Sequence, residues 1–493
     1  MDMWTSYQNK GYMCVTLHWI DDEWRIQKRI VGFFHVEGRH TGHKLSELFT
    51  EIMVKWFVEQ RLFALTLDNA SNNFVAVTDI VADLQVNGKA SLVCDGIFFH
   101  IRCGCHILNL VARDGLAVIS KALKKIKALV LIMKGSPLQW EELMKCASEC
   151  RLDTTKGIQL DVTTRWNSTY LMLKDALYYK DAFIRLKTSN RSKYMKITPN
   201  DDEWKMATTV FQCLKKFYDL IVLLSGTSYP TANLFYRGFC EIKELLDNWC
   251  LGADFTIKKM AFAMSEKFEK YWTCSSMSLA VACFLDPRYK KKLLEYYMRK
   301  FDGDYYQIHL DEFLTVVKNL YQFYASSSSK NKSDVNQNEH LSPTDPLAEN
   351  RDDELESFLY DDHGPDSSDT NELDKYMAEP LLKQNSFDIL SYWKNNTDKY
   401  PILSQIARDM MAIQVSTVAS ESAFSEAGRI IDPYCNRLDP EIVQALICTK
   451  DWVHAARKGI NWLICSIRIF QIYVMYSCTV LMHMCLDLSF FRF

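Results

Sequence analysis

Two apolar runs near the start of the chain, GYMCVTLHWI (11–20) and IVGFFHVEG (30–38), flank a polar stretch, and a third, LFALTLDN (62–69), follows a helical segment. The first two read as a strand pair with an intervening turn, and HTGHKLSELFTEIMVKWFVEQR reads as an amphipathic helix leading to the third strand. That order predicts an α/β core whose early strands run antiparallel. At 493 residues the chain exceeds one ordinary core, so further folded units are expected.

The first part of the core spans 1–115, and from Leu116 the pattern changes. Ile119, Leu123, Ile126, Val130 and Met133 recur at spacings of four and three, with Lys121, Lys124, Lys125 and Lys127 between them. This is an amphipathic helix with a basic outer side, and helical patterns continue to about Tyr324, predicting an all-α block over 116–325. Residues 326–372 are poor in apolar side chains and rich in Ser, Asn and Asp, the composition of a disordered acidic linker. Order is expected again over 373–455. The apolar tail 456–493 contains a stretch, Ile469 to Phe491, long enough to span a bilayer. Gln471, His483 and Asp487 interrupt it, so a misjudged exon end or a loosely packed extra helix is the preferred reading and no membrane partner is expected.

The formal net charge of −3 hides an asymmetry. Asp345 to Glu379 holds thirteen acids against two bases, leaving 56 basic and 48 acidic residues elsewhere, a body of +8 that is compatible with DNA. Sixteen cysteines without a repeated spacing, and a start lacking signal-peptide order, point to a reducing compartment, cytosol or nucleus.

Asp68 ends the third apolar run and is followed by Asn, Ser and more Asn. It could cap the next turn, or it could hold a metal ion where α/β sheets place ligands. Three other stretches share its texture: MDMWTS (1–6), HIRCGCHILNLVARDGL (100–116) and LDVTTRWNSTYLML (160–173). In VSTVASESAFSEAGRIIDPYCNRL (415–438), Ala419, Ala423 and Ala427 form a small-residue row that lets a helix approach a sheet closely, and Glu421 falls beside Phe424 on the rim of that face.

These motifs, in this order, together with YPTANLF (229–235), FLDPRYK (284–290) and FDILSYWK, resemble the hAT (hobo, Activator, Tam3) transposase family, especially plant sleeper-type members with an amino-terminal BED zinc finger. The resemblance covers nearly all of residues 1–454. It implies an RNase H-like core interrupted by a large all-α insertion, with a carboxyl-terminal helical segment that completes the core and dimerises. It also implies an acidic triad of Asp2, Asp68 and Glu421, with Glu426 as a nearby rival. Such a triad holds two Mg2+ or Mn2+ ions, one activating the attacking oxygen and one stabilising the leaving oxygen of a phosphodiester.

The same resemblance puts His106 near the scissile phosphate, its alternative role being a hydrogen-bonded histidine at a helix start. Trp166, beside Arg165, matches an aromatic that stacks on a flipped base, the alternative being a core tryptophan. Cys103, Arg165, Trp166, Lys121, Lys124 and Lys125 are the expected DNA-facing residues. Cys103 and His106 could form half a zinc site, but no second pair follows at finger spacing, so no zinc is expected. Trp393, Tyr400, Ile402, Leu403 and Phe424 could seed a homodimer or a heterodimer with related chains, or form a private core.

Departures from the family pattern bear on activity. The chain begins at the first catalytic strand, which leaves Asp2 beside a mobile terminus, and it contains no BED finger. Phe74 stands where relatives often carry a further acid. The reading is a transposase-derived, DNA-binding, dimerising nuclear protein without efficient catalysis. An active metal-dependent transposase and a non-catalytic module that pairs with full-length relatives are the alternatives.

Overall fold

The computed structural model describes residues 1–86, 92–162, 166–335, 371–383, 387–431 and 438–457, with all their side chains except those of 120–122, 273–276 and 328–335. Three strands, β1 (Asp2–Thr5), β2 (Gly11–Ile20) and β3 (Ile26–Val36), form an antiparallel sheet in that order. The expected strand pair is therefore present, and β1 aligns Asp2 with Cys14. Between β2 and β3 the register shifts: Val15 faces Gly32 and Thr16 faces Ile30, so Val31 forms a bulge.

Helices α1 (Gly42–Lys55) and α2 (Ser71–Val86) cover one face of this sheet, burying Phe49, Ile52, Ala76 and Ile80 with Met13, Val15 and Val31. Between and after them, β4 (Leu65–Leu67) and β5 (His100–Arg102) pair in parallel, with Leu67 opposite Arg102. The two sheets meet at Met1. It is buried, and its amino group donates to the Thr66 carbonyl at 3.1 Å. Asp2 is thus fixed by its neighbours, against the expectation of a mobile terminus.

A run of helices follows: α3 (Gly104–Val118), α4 (Ser120–Gly135), α5 (Pro137–Glu149), α6 (Trp166–Tyr178), α7 (Lys180–Ser189), α8 (Arg191–Tyr194), α9 (Asp201–Leu224), α10 (Ala232–Leu251), α11 (Phe255–Phe284), α12 (Lys290–Asp302) and α13 (Tyr306–Val335). The all-α block is present, although helix begins at Gly104, ahead of the predicted change at Leu116. At the other end α13 runs through Val335 and so enters the segment expected to be disordered. The remainder of that linker, 336–370, and the apolar tail from 458 lie outside the described residues. No helix among the described residues is long and apolar enough to cross a membrane.

The last elements, α14 (Glu372–Ala378), α15 (Ile389–Asn395), α16 (Pro401–Ala412), α17 (Val418–Ile430) and α18 (Pro440–Arg457), divide between two tasks. The first three dock on the helical block through FLDPRYK: Tyr376 Oη donates to the Phe284 carbonyl and Trp393 Nε1 to the Leu285 carbonyl, each at 3.1 Å. Asp286 of that motif is fully buried and is satisfied by Arg288 and by Asn233 of YPTANLF. Two motifs distant in sequence therefore form one buried polar knot.

Helices α17 and α18 return to the first sheet. Ala419, Ala423 and Ala427 are buried as the small-residue row requires, and Ala423, Phe424 and Ala427 lie against Tyr12, Cys14, Ile30 and Phe33. Helix α18 seals the edge strand β3. Asp451 Oδ2 accepts from the Ile30 amide and Trp452 Nε1 donates to the Ile30 carbonyl, both at 2.9 Å, while Trp56 Nε1 donates to the Val31 carbonyl. Backbone groups on the outer edge of β3 thus find side-chain partners.

This packing revises the expected dimer interface. Trp393, Tyr400 and Leu403 are fully buried within the chain, Phe424 is buried and stacks on Trp4, and Ile402 is half-buried against the helical core. They form a private core. Replacing Asp451 by Ala should leave the Ile30 amide without its acceptor and lower the unfolding free energy by about 1–3 kcal/mol. Trp452→Phe should cost about 1 kcal/mol through the carbonyl. Urea denaturation reads both, and an unchanged midpoint in Asp451→Ala would contradict the sealing role.

Candidate functional site

Asp68 follows directly on β4, and its turn chemistry is visible: Oδ1 accepts from the Ala70 amide at 3.0 Å and from the Asn73 side chain. The capping role is real, and among the described residues Oδ2 accepts no hydrogen bond, which leaves it available. Asp2, on β1, accepts from the Met3 amide at 2.8 Å. Glu421, exposed in the first turn of α17, has Thr417 Oγ1 at 3.3 Å from Oε1.

The three acids feel one another. Burial pushes the Asp2 carboxyl up to about 7; the Met3 amide and the Met1 ammonium oppose the rise, and Asp68 and Glu421 add to it. An acid on β1, one after β4 and one more than 300 residues further on thus share one electrostatic neighbourhood.

Cys103 explains how Glu421 arrives there. It caps α3 and is buried, and its sulfur accepts from the His106 amide at 3.4 Å and from the Thr417 amide at 3.4 Å. Gly104 N donates to the Val415 carbonyl at 2.8 Å, and Thr66 Oγ1 to the Gln414 carbonyl at 2.6 Å. Residues 414–417 are thereby pinned to the ends of β4 and β5, and α17 starts from that point. Burial pushes the Cys103 thiol up to about 12. Cys103 is a positioning residue inside the fold and has no surface with which to meet DNA.

Other expected contacts also change. Trp166 is buried at the start of α6, edge-on to Phe217 at 6.5 Å, so it is a core tryptophan with no face open to a base. Arg165 and the side chain of Lys121 lie outside the described residues. Lys124 is exposed and makes no ion pair among the described residues, whereas Lys125 pairs with Glu203 at 2.8 Å. His106 is half-buried at the head of α3, beside the Cys103 bracket. Sequence reasoning missed Asn73 and Thr417, which orient Asp68 and Glu421; the Asn-Asn pair after Asp68 was the visible signal for the first.

The donor chemistry suits a hard divalent cation: three carboxylates, one of them held towards neutrality by burial first and by its like-charged neighbours second, with both polar atoms of the Asn69 amide buried and unpartnered beside Asp68. The spacing does not. Among the described residues no three His, Cys, Asp or Glu side chains stand close enough to share an ion. As they stand, the side chains supply donors without a closed cage.

Four family profiles lie in order along the chain. The ZBED1 RNase-like domain matches residues 1–98, the ZBED1 RNase-like helical domain 101–213, the hAT-like transposase RNase-H fold 233–324, and the hAT family C-terminal dimerisation region 372–453. The chain belongs to the hAT family. It is 66% identical over 466 residues to a Zea mays protein described as a putative AC transposase, covering 94% of this chain and 57% of that one. A second Zea mays protein, a putative AC9 transposase, is 60% identical over 98% of this chain and 60% of its own length. The zinc finger BED domain-containing protein RICESLEEPER 2 of Oryza sativa subsp. japonica is 34% identical over 92% of this chain and 64% of its own length. This hAT chain therefore spans less than two thirds of each of these relatives. The chain combines an α/β RNase H-like core with a large helical insertion.

Two measurements check the site. Alkylation of the native protein near pH 8 should spare Cys14 and Cys103, both pushed up to about 12 by burial, until urea unfolds the chain. Rapid native labelling of Cys103 would refute its bracketing role. His100 is held at about 4, by burial first and Arg102 second. Because that lies below the ordinary value near 6.5, the unfolded chain takes up the proton first. The contribution of His100 to stability is full above about pH 6.5 and is lost as pH drops towards 4, and thermal melts over that window should show a smaller fall in His100→Phe than in the wild type.

Proposed function

We propose that this chain is a hAT transposase-derived protein that binds DNA and dimerises in the nucleus, without efficient strand transfer. One observation carries the reading: Asp2, Asp68 and Glu421 gather at the strand ends of an RNase H-like core, each tied to its own local hydrogen bonds, without closing on a common point. DNA binding draws support from the +8 body outside the acidic segment and from Lys124 on α4. Surface ion pairs such as Lys125–Glu203 contribute little and can exchange for phosphate. Dimerisation draws support from the matched carboxyl-terminal region and from α18, where Leu446 and Val453, two helical turns apart, are 42% and 44% exposed.

A second reading, a metal-dependent transposase that cuts phosphodiesters, is favoured by the oxygen-only donor set and by its transposase-named relatives. Retention of duplex DNA carrying terminal repeats should weaken steeply between about 50 and 200 mM salt, and sedimentation should show a dimer that dissociates on dilution. Absence of retention at low salt would overturn DNA binding. Magnesium-dependent nicking that disappears in Asp68→Asn would establish the second reading instead.

A further inference from the structure

Phe74, in the first turn of α2, is 56% exposed. The His100 ring meets it edge-on at 6.0 Å between centroids, and the Arg102 guanidinium carbon lies 5.7 Å from its centroid. Arg102 is only partly buried and makes no ion pair among the described residues. The imidazole of His100, with its pKa lowered to about 4, is neutral at pH 7 and supplies a ring, leaving Arg102 as the cation of the group.

The position of this group matters more than its composition. Leu67 pairs with Arg102 in the β4–β5 ladder, so Asp68 emerges at the same end of the ladder as Arg102. Asn73, next to Phe74, holds the Asp68 carboxylate. An open aromatic face and a cation without a carboxylate partner are therefore built onto the same strand ends that carry the acid. A solvent-facing phenylalanine leaves apolar area in water, and a guanidinium that lies over an aromatic ring keeps its edge free for an anion. A nucleotide supplies both complements at once: a base face for the ring and a phosphate for the guanidinium edge.

We propose that Phe74 and Arg102 form a platform for one unpaired nucleotide of a DNA strand, the base stacking on Phe74 and its phosphate meeting Arg102. The strand must be unpaired at that point, because a duplex already covers both faces of its internal bases. This rests on the DNA-binding reading above and adds a strand state and a contact point to it. It also supplies the exposed aromatic that Trp166, buried beside Phe217, does not provide.

The full chain would be titrated by fluorescence anisotropy with a blunt duplex and with the same duplex carrying a short single-stranded thymine overhang. Quenching of 2-aminopurine placed in the overhang would report stacking directly. The wild-type chain should prefer the overhang by about tenfold. Phe74→Ala should remove the preference and the quenching, Phe74→Tyr should retain both, and Arg102→Gln should weaken overhang binding while blunt-duplex affinity stays the same. Phe74 is exposed, so an unchanged melting temperature in Phe74→Ala will separate lost stacking from lost folding. An overhang preference that survives in Phe74→Ala, or blunt-duplex binding with no preference in the wild type, would overturn the platform and leave the DNA-binding reading standing. Failure to bind either DNA would overturn both.

Discussion

Residues 414–417 bind to the ends of β4 and β5, and the remaining architecture depends on that attachment. Gly104 N to Val415 O, Thr66 Oγ1 to Gln414 O, and the Cys103 sulfur to the Thr417 amide join positions more than 300 residues apart. Closing so long a loop costs conformational entropy that grows only slowly with length, so a few well-made buried hydrogen bonds and an apolar face can hold it. Once this segment is fixed, α17 is aimed along the sheet, the alanine row settles against β2, and Glu421 comes into the neighbourhood of Asp2 and Asp68.

The helical insertion is tied into the same closure. FLDPRYK and YPTANLF meet through Asp286, Arg288 and Asn233, and Thr231 of the second motif accepts from the Val415 amide at 3.3 Å. One strip of chain thus touches both the sheet and the insertion. A buried carboxylate such as Asp286 is tolerated because Arg288 grips both of its oxygens and Asn233 takes up remaining acceptor capacity. The carboxyl-terminal region therefore completes the core before it can serve as an interface, and the aromatics at 393 and 400 are spent on that internal role.

Much of this was legible in the sequence. Apolar runs on either side of a polar stretch marked β2 and β3, the four-and-three spacing marked α4, and the Ala419, Ala423, Ala427 row marked the buried face of α17. Convergence of Asp2, Asp68 and Glu421 was legible only through resemblance. The misassigned residues share one cause. A tryptophan or tyrosine suits a hydrophobic core, a base-stacking site and a dimer interface equally well, because all three use large apolar area with a polar edge. Trp166, Trp393 and Tyr400 could be sorted only by seeing what covers them. Cys103 is similar: a thiol can ligate, react or cap, and the Thr417 amide that decides the matter lies in another part of the chain.

By itself the sequence determined local periodicity, the order of strands and helices, and the residue types at each strand end, because these depend on neighbours within a turn or two. Tertiary structure alone decided which aromatics are hidden, how the edge of β3 is sealed by Asp451 and Trp452, and how closely the three acids approach. Those outcomes depend on where two distant surfaces meet to within an ångström or two, and no spacing along the chain encodes that distance.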